Sequence, residues 1–316
     1  MKSIIFMGTP KFAAPILTRL IEDPNYEVVA VVTQPDRRTG RKHQMTQSPV
    51  KQVAVHNHIP VFQPEKISGS EEMQTLINLQ ADLIVTAAFG QFLPMKLINS
   101  VKIAAVNVHA SLLPKYRGGA PVHYAIMNGD EETGVTLIYM VKKMDAGEML
   151  AQSKIKIEPT DDVGSMFEKL SILGRNLLIK TLPKLIAGEI TSVAQDESQV
   201  TFAPNIKPEE EEVDFTKSAR LVDAKVRALR PFPVSYIILN GVRTKLWEVS
   251  LLPQTTELKP GQVVEKTKHK LLVATGDHGV VSLDRVQPAG KPQMEITDYL
   301  NGSQEAFYEG EQVIKL

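Results

Sequence analysis

Short β-branched runs alternating with helical patterns set the tightest limit on what this chain can fold into. Ser3 to Met7, Tyr26 to Thr33, Val61-Phe62 and Leu83 to Ala87 read as strands, and Ile103-Ala104-Ala105-Val106 continues the series. Between them, a helix is expected from Pro10 to about Ile21, with Phe12, Ile16, Leu17 and Leu20 on one face. Ser48-Pro49 opens a second helix and Glu71 to Leu79 forms a third. Strands separated by helices are the signature of a parallel sheet. The expectation is an α/β fold, with a doubly wound, mostly parallel, Rossmann-like sheet in the N-terminal part.

The run at Ile103 ends in Asn107-Val108-His109-Ala110-Ser111-Leu112-Leu113-Pro114. Asn107 and His109 are two apart, so an extended backbone points both to the same side. Open α/β sheets bind ligands at the carboxyl edge, where this pair would stand. Asp145, in the loop Lys142 to Glu148, is a third candidate. An amide that does not titrate can stabilise an oxyanion. An imidazole can donate when charged or move a proton when neutral. A carboxylate beside it can orient the ring or hold a proton-relaying water. Ser111 lacks a G-x-S-x-G frame, and no H-E-x-x-H spacing occurs. The set suits direct acyl transfer to an amine that the substrate itself carries. The other reading stays open on spacing alone: Asn and His at a strand end commonly satisfy backbone groups.

The rest of the chain narrows the partners. Gly8-Thr9-Pro10 stands without G-x-G-x-x-G or a Walker lysine, so a dinucleotide site is not indicated. Gln34 to Lys51 is far longer than the usual strand-to-helix loop of about 2–6 residues. It carries Arg37, Arg38, Arg41, Lys42 and Lys51 against Asp36 alone. It reads either as a solvated loop or as a basic arm for a polyanion. Phe89-Gly90-Gln91-Phe92-Leu93 follows a strand and reads either as the wall of a pocket for a flat ring or as a turn packed into the core.

Residues 1–188 form the expected first domain, 189–207 a linker, and 208–316 a second domain. Five short strands there (Val234–Leu239, Thr244–Val249, Gly261–Glu265, Leu271–Ala274, Val280–Arg285) suggest a small OB-like β-barrel. Thirteen Lys/Arg face six Asp/Glu between Lys217 and Lys291, a basic patch inside a chain of zero formal net charge. Cysteine is absent, which excludes disulfides, thiolate catalysis and Cys-bound zinc. Neither a signal peptide nor a run of roughly 18 apolar residues is present, so the expected location is the cytoplasm.

Asn107 to Pro114, followed by Tyr116-Arg117-Gly118-Gly119-Ala120-Pro121 and by Met144-Asp145-Ala146-Gly147, resembles the folate-dependent formyltransferases. The resemblance extends over essentially the whole chain. It implies Asn107, His109 and Asp145 as catalytic residues and 10-formyltetrahydrofolate as the one-carbon donor, with no metal. It places the folate against Phe89, Gly90, Gln91, Phe92 and Leu93, against Ser111, Leu112, Leu113 and Pro114, and against Lys143 and Gly147. Gly8-Thr9-Pro10 with Phe12-Ala13, the basic loop to Lys51, and Gln287-Pro288-Ala289-Gly290-Lys291 are similar to members that act on initiator methionyl-tRNA. That likeness implies tRNA contacts at Arg37, Arg38, Arg41, Lys42, Lys245 and Lys266, in a monomer that needs no membrane. The alternatives are a formyltransferase for an amino sugar nucleotide, a hydrolase that releases formate, and a non-catalytic RNA-binding relative.

Overall fold

The apolar runs do become strands. In the computed structural model, which describes residues 1–39, 44–302 and 307–316, the chain forms two units. The first comprises Met1–Pro121, Glu132–Lys156 and Phe167–Pro204; the second comprises Val122–Glu131, Ile157–Met166 and Asn205–Leu316. Among the described residues, no helix is long and apolar enough to cross a membrane.

The first unit contains strands β1 (Lys2–Gly8), β2 (Tyr26–Val32), β3 (Arg37–Thr39), β4 (Gln44–Thr46), β5 (Val61–Phe62), β6 (Leu83–Ala87), β7 (Ala104–His109), β8 (Glu132–Tyr139) and β9 (Met149–Lys156). Its helices are α1 (Ala14–Glu22), α2 (Pro49–His56), α3 (Glu71–Asn78) and α4 (Met95–Ile98). Next in the chain come α5 (Pro121–Met127), which falls in the second unit after its first residue, and α6 (Val163–Ile186), which falls in the first from Phe167 onward.

Seven strands form one sheet in the order β5-β2-β1-β6-β7-β8-β9. The strands from β5 to β7 are parallel, and β8 and β9 add an antiparallel edge. The winding reverses between β1 and β6. Sheets of this kind bind ligands in the crevice at the carboxyl ends there. Gly8 sits at that point because a Cβ would lie 2.8 Å from both the Ala13 Cβ and the Ala87 carbonyl oxygen. Its role is close packing of β1, β6 and the start of α1. Behind the sheet, α6 comes so near that a Cβ on Gly174 would stand 2.9 Å from Val108. The Ser171 hydroxyl ties the same helix to the Phe12 carbonyl (2.7 Å).

Three expectations shift. The helix expected from Pro10 begins at Ala14, because Pro10 to Ala13 close a turn through Ala13 N–H and Pro10 O (2.9 Å). The long basic loop contains the β3–β4 hairpin, with Arg38 paired to Met45. Asp36 anchors its base: it accepts from Lys51 Nζ (2.6 Å) and Gln63 Nε2 (2.8 Å). Residues 189–204, which lack periodicity, are held in the first unit by backbone pairing. Val193 pairs with Met149, and Phe202 with Arg117.

The second unit contains α7 (Ala219–Leu229), with Ser218 as its cap, and strands β10 (Tyr236–Leu239), β11 (Val242–Thr255), β12 (Val263–Lys266), β13 (Leu271–Ala274), β14 (Gly279–Pro288) and β15 (Met294–Glu295), followed by α8 (Ile296–Gly302). The strand order is β10-β11-β14-β13-β12, with β15 on β14. Asn240-Gly241, both at positive φ, make the two-residue turn between β10 and β11. The last residues join the two open edges. Val313 O accepts from Asn240 N–H beside β10, and Val313 N–H donates to Gly261 O beside β12 (2.8 and 3.1 Å). The antiparallel sheet is thereby closed by a segment that the sequence reading left unassigned. Val226, Ile237, Leu246, Val273, Leu283 and Ile314 fill its core.

Candidate active site

Thr86 on β6 pairs in register with Asn107 on β7, and β8 flanks β7 on its other side. Hydrogen-bond ladders on both sides thus fix where the Asn107 and His109 side chains start. Thr86 Oγ1 donates to Asn107 Oδ1 at 2.8 Å, which sets the amide's orientation. Asn107 Nδ2 therefore faces outward, and it lies 3.4 Å from Asp145 Oδ1. His109 Nε2 donates to the Tyr116 carbonyl at 2.9 Å; a carbonyl only accepts, so this nitrogen carries the proton. His109 Nδ1 then faces Asp145 Oδ2 at 3.6 Å. The imidazole is buried, and Asp145 is 14% exposed at its side chain.

Asp145 is set by tertiary contacts. Its φ of 49° lies in the left-handed region, which aspartate tolerates better than most residues. Gly118 N–H donates to its Oδ2 at 2.9 Å. Gly118 itself has φ 124°, and a Cβ there would meet the Ala203 carbonyl oxygen at 2.6 Å. Gln195 Nε2 donates to two carbonyls of the same loop, Asp145 O (2.7 Å) and Gly147 O (2.8 Å). Arg117, fully buried, donates from Nε to Gln195 Oε1 (3.0 Å) and from Nη2 to Glu197 Oε1 (2.8 Å). Lys143 Nζ completes the set on Glu197 Oε2 (2.9 Å). The Arg117 and Lys143 cations hold the Glu197 carboxyl down to about 2.

The three residues expected to be catalytic therefore meet, as an amide, an imidazole and a carboxylate in one cluster. The expected folate wall is more mixed. Phe89 and Leu93 turn into the apolar core with Met7, Ile67 and Leu97, while Phe92 is 58% exposed. The Phe89 carbonyl is accessible to side chains, accepting from Thr9 Oγ1 (3.1 Å) and Gln34 Nε2 (3.2 Å). Gln91 is engaged with Ile67 N–H and the Pro64 carbonyl. Ser111 and Leu113 are buried and hold the turn after β7: Ser111 Oγ donates to Lys115 O, and Leu113 N–H donates to Thr136 Oγ1. Leu112 and Pro114 are partly exposed beside them. Gly90 and Gly147 offer backbone only. A Cβ on Gly147 would stand 1.8 Å from the Tyr139 carbonyl oxygen.

Of the expected basic contacts, Arg37 is exposed but paired to Glu65 through Nη1 and Nη2 (3.2 and 2.6 Å). Arg38 is exposed. Arg41 and Lys42 lie outside the described residues. Lys245 is half-buried, with Nζ on Pro233 O (3.3 Å), whereas Lys266 is exposed with Lys268 and Lys270 nearby in sequence. Among the described residues, these last three carry no ion pair, unlike Arg227, Arg230, Arg243 and Arg285. Among the described residues, no group of His, Asp and Glu is placed to hold a metal ion.

Sequence reasoning missed Thr86, Gln195 and the part played by Arg117. Thr86 carried a signal, as the one polar residue in the run Leu83 to Ala87. Gln195 carried none, since it lies in a stretch without periodicity.

Family models bear on this geometry. One described as formyl transferase matches residues 1–182, and one described as formyl transferase, C-terminal domain, matches residues 205–304. The chain belongs to the formyl transferase family. Within the family, it is 71% identical to a protein of Pediococcus pentosaceus named methionyl-tRNA formyltransferase, over 99% of this chain and 98% of that one. A protein of Levilactobacillus brevis with the same name is 68% identical, over 99% of each chain. Among solved structures, the N-formyltransferase from Helicobacter canadensis in complex with folinic acid and dTDP-3-aminofucose superposes with a TM-score of 0.69. It is 18% identical and covers 91% of this chain and 100% of its own, a likeness of fold.

Proposed function

We propose that this chain transfers the formyl group of 10-formyltetrahydrofolate to the α-amine of methionine on initiator methionyl-tRNA. One observation carries the reading: relatives at 65–71% identity over 99% of the chain bear the name of that activity. The meeting of Asn107, His109 and Asp145 is what that chemistry needs.

In this reading the neutral amine attacks the formyl carbon directly. The outward Asn107 Nδ2 donates to the developing oxyanion, a neutral donor already oriented by Thr86. His109 presents Nδ1 to the same space while Nε2 stays on the Tyr116 carbonyl. Asp145 accepts the amine proton, through His109 or a water, and a proton passes to the folate nitrogen as the C–N bond breaks. The folate ring lies near the carboxyl ends of β1 and β6, reading backbone groups at Phe89–Gly90 and the loop to Gly147. Phe92 is the exposed aromatic in that stretch. The first unit does the chemistry. Arg37, Arg38, Arg41 and Lys42 on the basic loop, and Lys245 and Lys266 on the barrel, contact the tRNA backbone. The protein works in the cytoplasm as a monomer and uses no metal.

The test is formyl transfer from 10-formyltetrahydrofolate to methionyl-tRNA, with matched uncharged tRNA as control. Formylation only of the charged tRNA is expected. Formate release without transfer, or indifference to tRNA, would overturn the reading. Arg41→Ala is expected to raise the tRNA requirement and flatten its salt dependence.

A further inference from the structure

The segment after α6 does more than connect. Between Val193 and Ala203 it is bonded to both loops that surround the candidate site. Val193 exchanges backbone hydrogen bonds with Met149, just past the Asp145 loop (2.8 and 2.9 Å). Arg117 N–H donates to Thr201 O (2.9 Å), and Ala203 N–H donates to Arg117 O (2.8 Å), beside Gly118. Tyr116 N–H donates to Thr201 Oγ1 at 2.9 Å. At the centre is Gln195, whose side chain is shared between the two loops: both its amide hydrogens go to carbonyls of the Asp145 loop, and its oxygen takes Arg117 Nε.

We infer that Gln195 is a positioning residue for the reaction: it holds the Asp145 loop so that the carboxylate faces Asn107 and His109. Asp145 lies in the left-handed backbone region, outside any strand ladder, so the direction of its loop is set by side-chain contacts. Its carbonyl and that of Gly147 project to one side, and the Gln195 amide is the group that takes both. Two donors from one planar NH₂ fix the spacing of residues 145 and 147, and with it the direction of the Asp145 side chain. The buried Arg117 in turn fixes the plane of the Gln195 amide, so the loop is referenced to the turn that supplies Gly118 N–H. A loss here displaces the carboxylate by a fraction of an ångström to an ångström, a displacement to which reaction rates respond steeply.

The inference rests on the proposed formylation, and wild-type turnover in the methionyl-tRNA assay is measured first. An inactive wild type sinks the functional reading; an active one isolates the test of Gln195. Gln195→Leu keeps the size and removes all three hydrogen bonds. Gln195→Glu keeps the Arg117 contact but turns an acceptor toward the two carbonyls. Both are expected to lower kcat roughly 10- to 100-fold, with KM for the tRNA changed less than about twofold. Hydrogen exchange is expected to quicken at 142–148 and to stay unchanged at 103–109. In an Asp145→Ala background, Gln195→Leu is expected to lower the remaining rate by less than about twofold, because its action runs through Asp145. Wild-type turnover in Gln195→Leu, unchanged exchange at 142–148, an undiminished further loss in the Asp145→Ala background, or loss of the folded state in either variant would each overturn the assignment.

Discussion

Asn107 and His109 stand on a strand and Asp145 on a loop, and the two halves of the site are held by different forces. β7 is hydrogen-bonded to β6 on one side and β8 on the other, and nearly all of it is buried. Its side chains inherit their direction from the pleat, so Asn107 and His109 share a face whatever the rest of the chain does. Asp145 has no ladder. Its backbone conformation, its neighbour Gly147 and its carboxylate are set by Tyr139, Gly118 and Gln195, drawn from three other parts of the sequence. The strand supplies rigid placement through the backbone, and the loop supplies placement through side-chain chemistry. A site with one member on each is sensitive to both kinds of damage.

The largest expected effect tests the strand half directly. Asn107→Ala removes the oriented donor without touching the ladder, and turnover is expected to fall about 100-fold or more while the melting temperature holds. Near-normal turnover would remove Asn107 from the chemistry. A pair of substitutions then sets loop against strand. Gly147→Ala drives a Cβ into the Tyr139 carbonyl, so the loop must move; a loss of roughly 10- to 100-fold in kcat is expected. Val106→Ala, in the buried middle of β7, is expected to lower stability by about 2 kcal/mol and leave turnover per folded molecule intact. Equal losses of turnover in the two would erase the distinction.

Smaller effects sharpen it. Thr86→Val frees the Asn107 amide to rotate, and kcat is expected to fall roughly two- to tenfold, the scale of one hydrogen bond. The weakest effect is the ion pairing at the outer end of the loop support. Arg117 and Lys143 depress the Glu197 carboxyl from 4.5 to about 2. A depressed carboxylate contributes its stability above the ordinary value and loses it as pH falls through the folded one. The difference in melting temperature between wild type and Glu197→Gln is therefore expected at pH 5 and to vanish as pH falls toward 2. Glu197 is 61% exposed, so salt is expected to shrink the difference at any pH. A difference independent of pH would show that Glu197 acts by shape alone.

Much of the first unit was legible because periodicity and strand chemistry are local. Leu83–Ala87 and Ile103–Val106 could be read as strands of a mostly parallel sheet, and the Asn-x-His spacing put two polar groups on one face. Ser48 could be read as a helix start, and its side chain accepts the expected backbone N–H. The loop Gln34 to Lys51 was recognisable by length and charge, but its anchoring through Asp36, Lys51 and Gln63 joins residues up to 27 apart. The stretch Phe89 to Leu93 left two readings open from the sequence, a pocket wall or a turn packed into the core; beyond the end of β6, Phe89 and Leu93 take the second, while Phe92 stays exposed.

The amino-acid order by itself determined the strands, the strand end that carries Asn107 and His109, and the basic character of the long loop and the second unit, because each depends on neighbours a few residues apart. Tertiary structure alone decided that Asp145 faces them, that residues after α6 support its loop, and that the last residues close the barrel. Those contacts span distances in sequence over which no pattern repeats: Gln195 lies 50 residues from Asp145. Hydrogen bonds between such segments exist only once the chain has folded to bring donor and acceptor together.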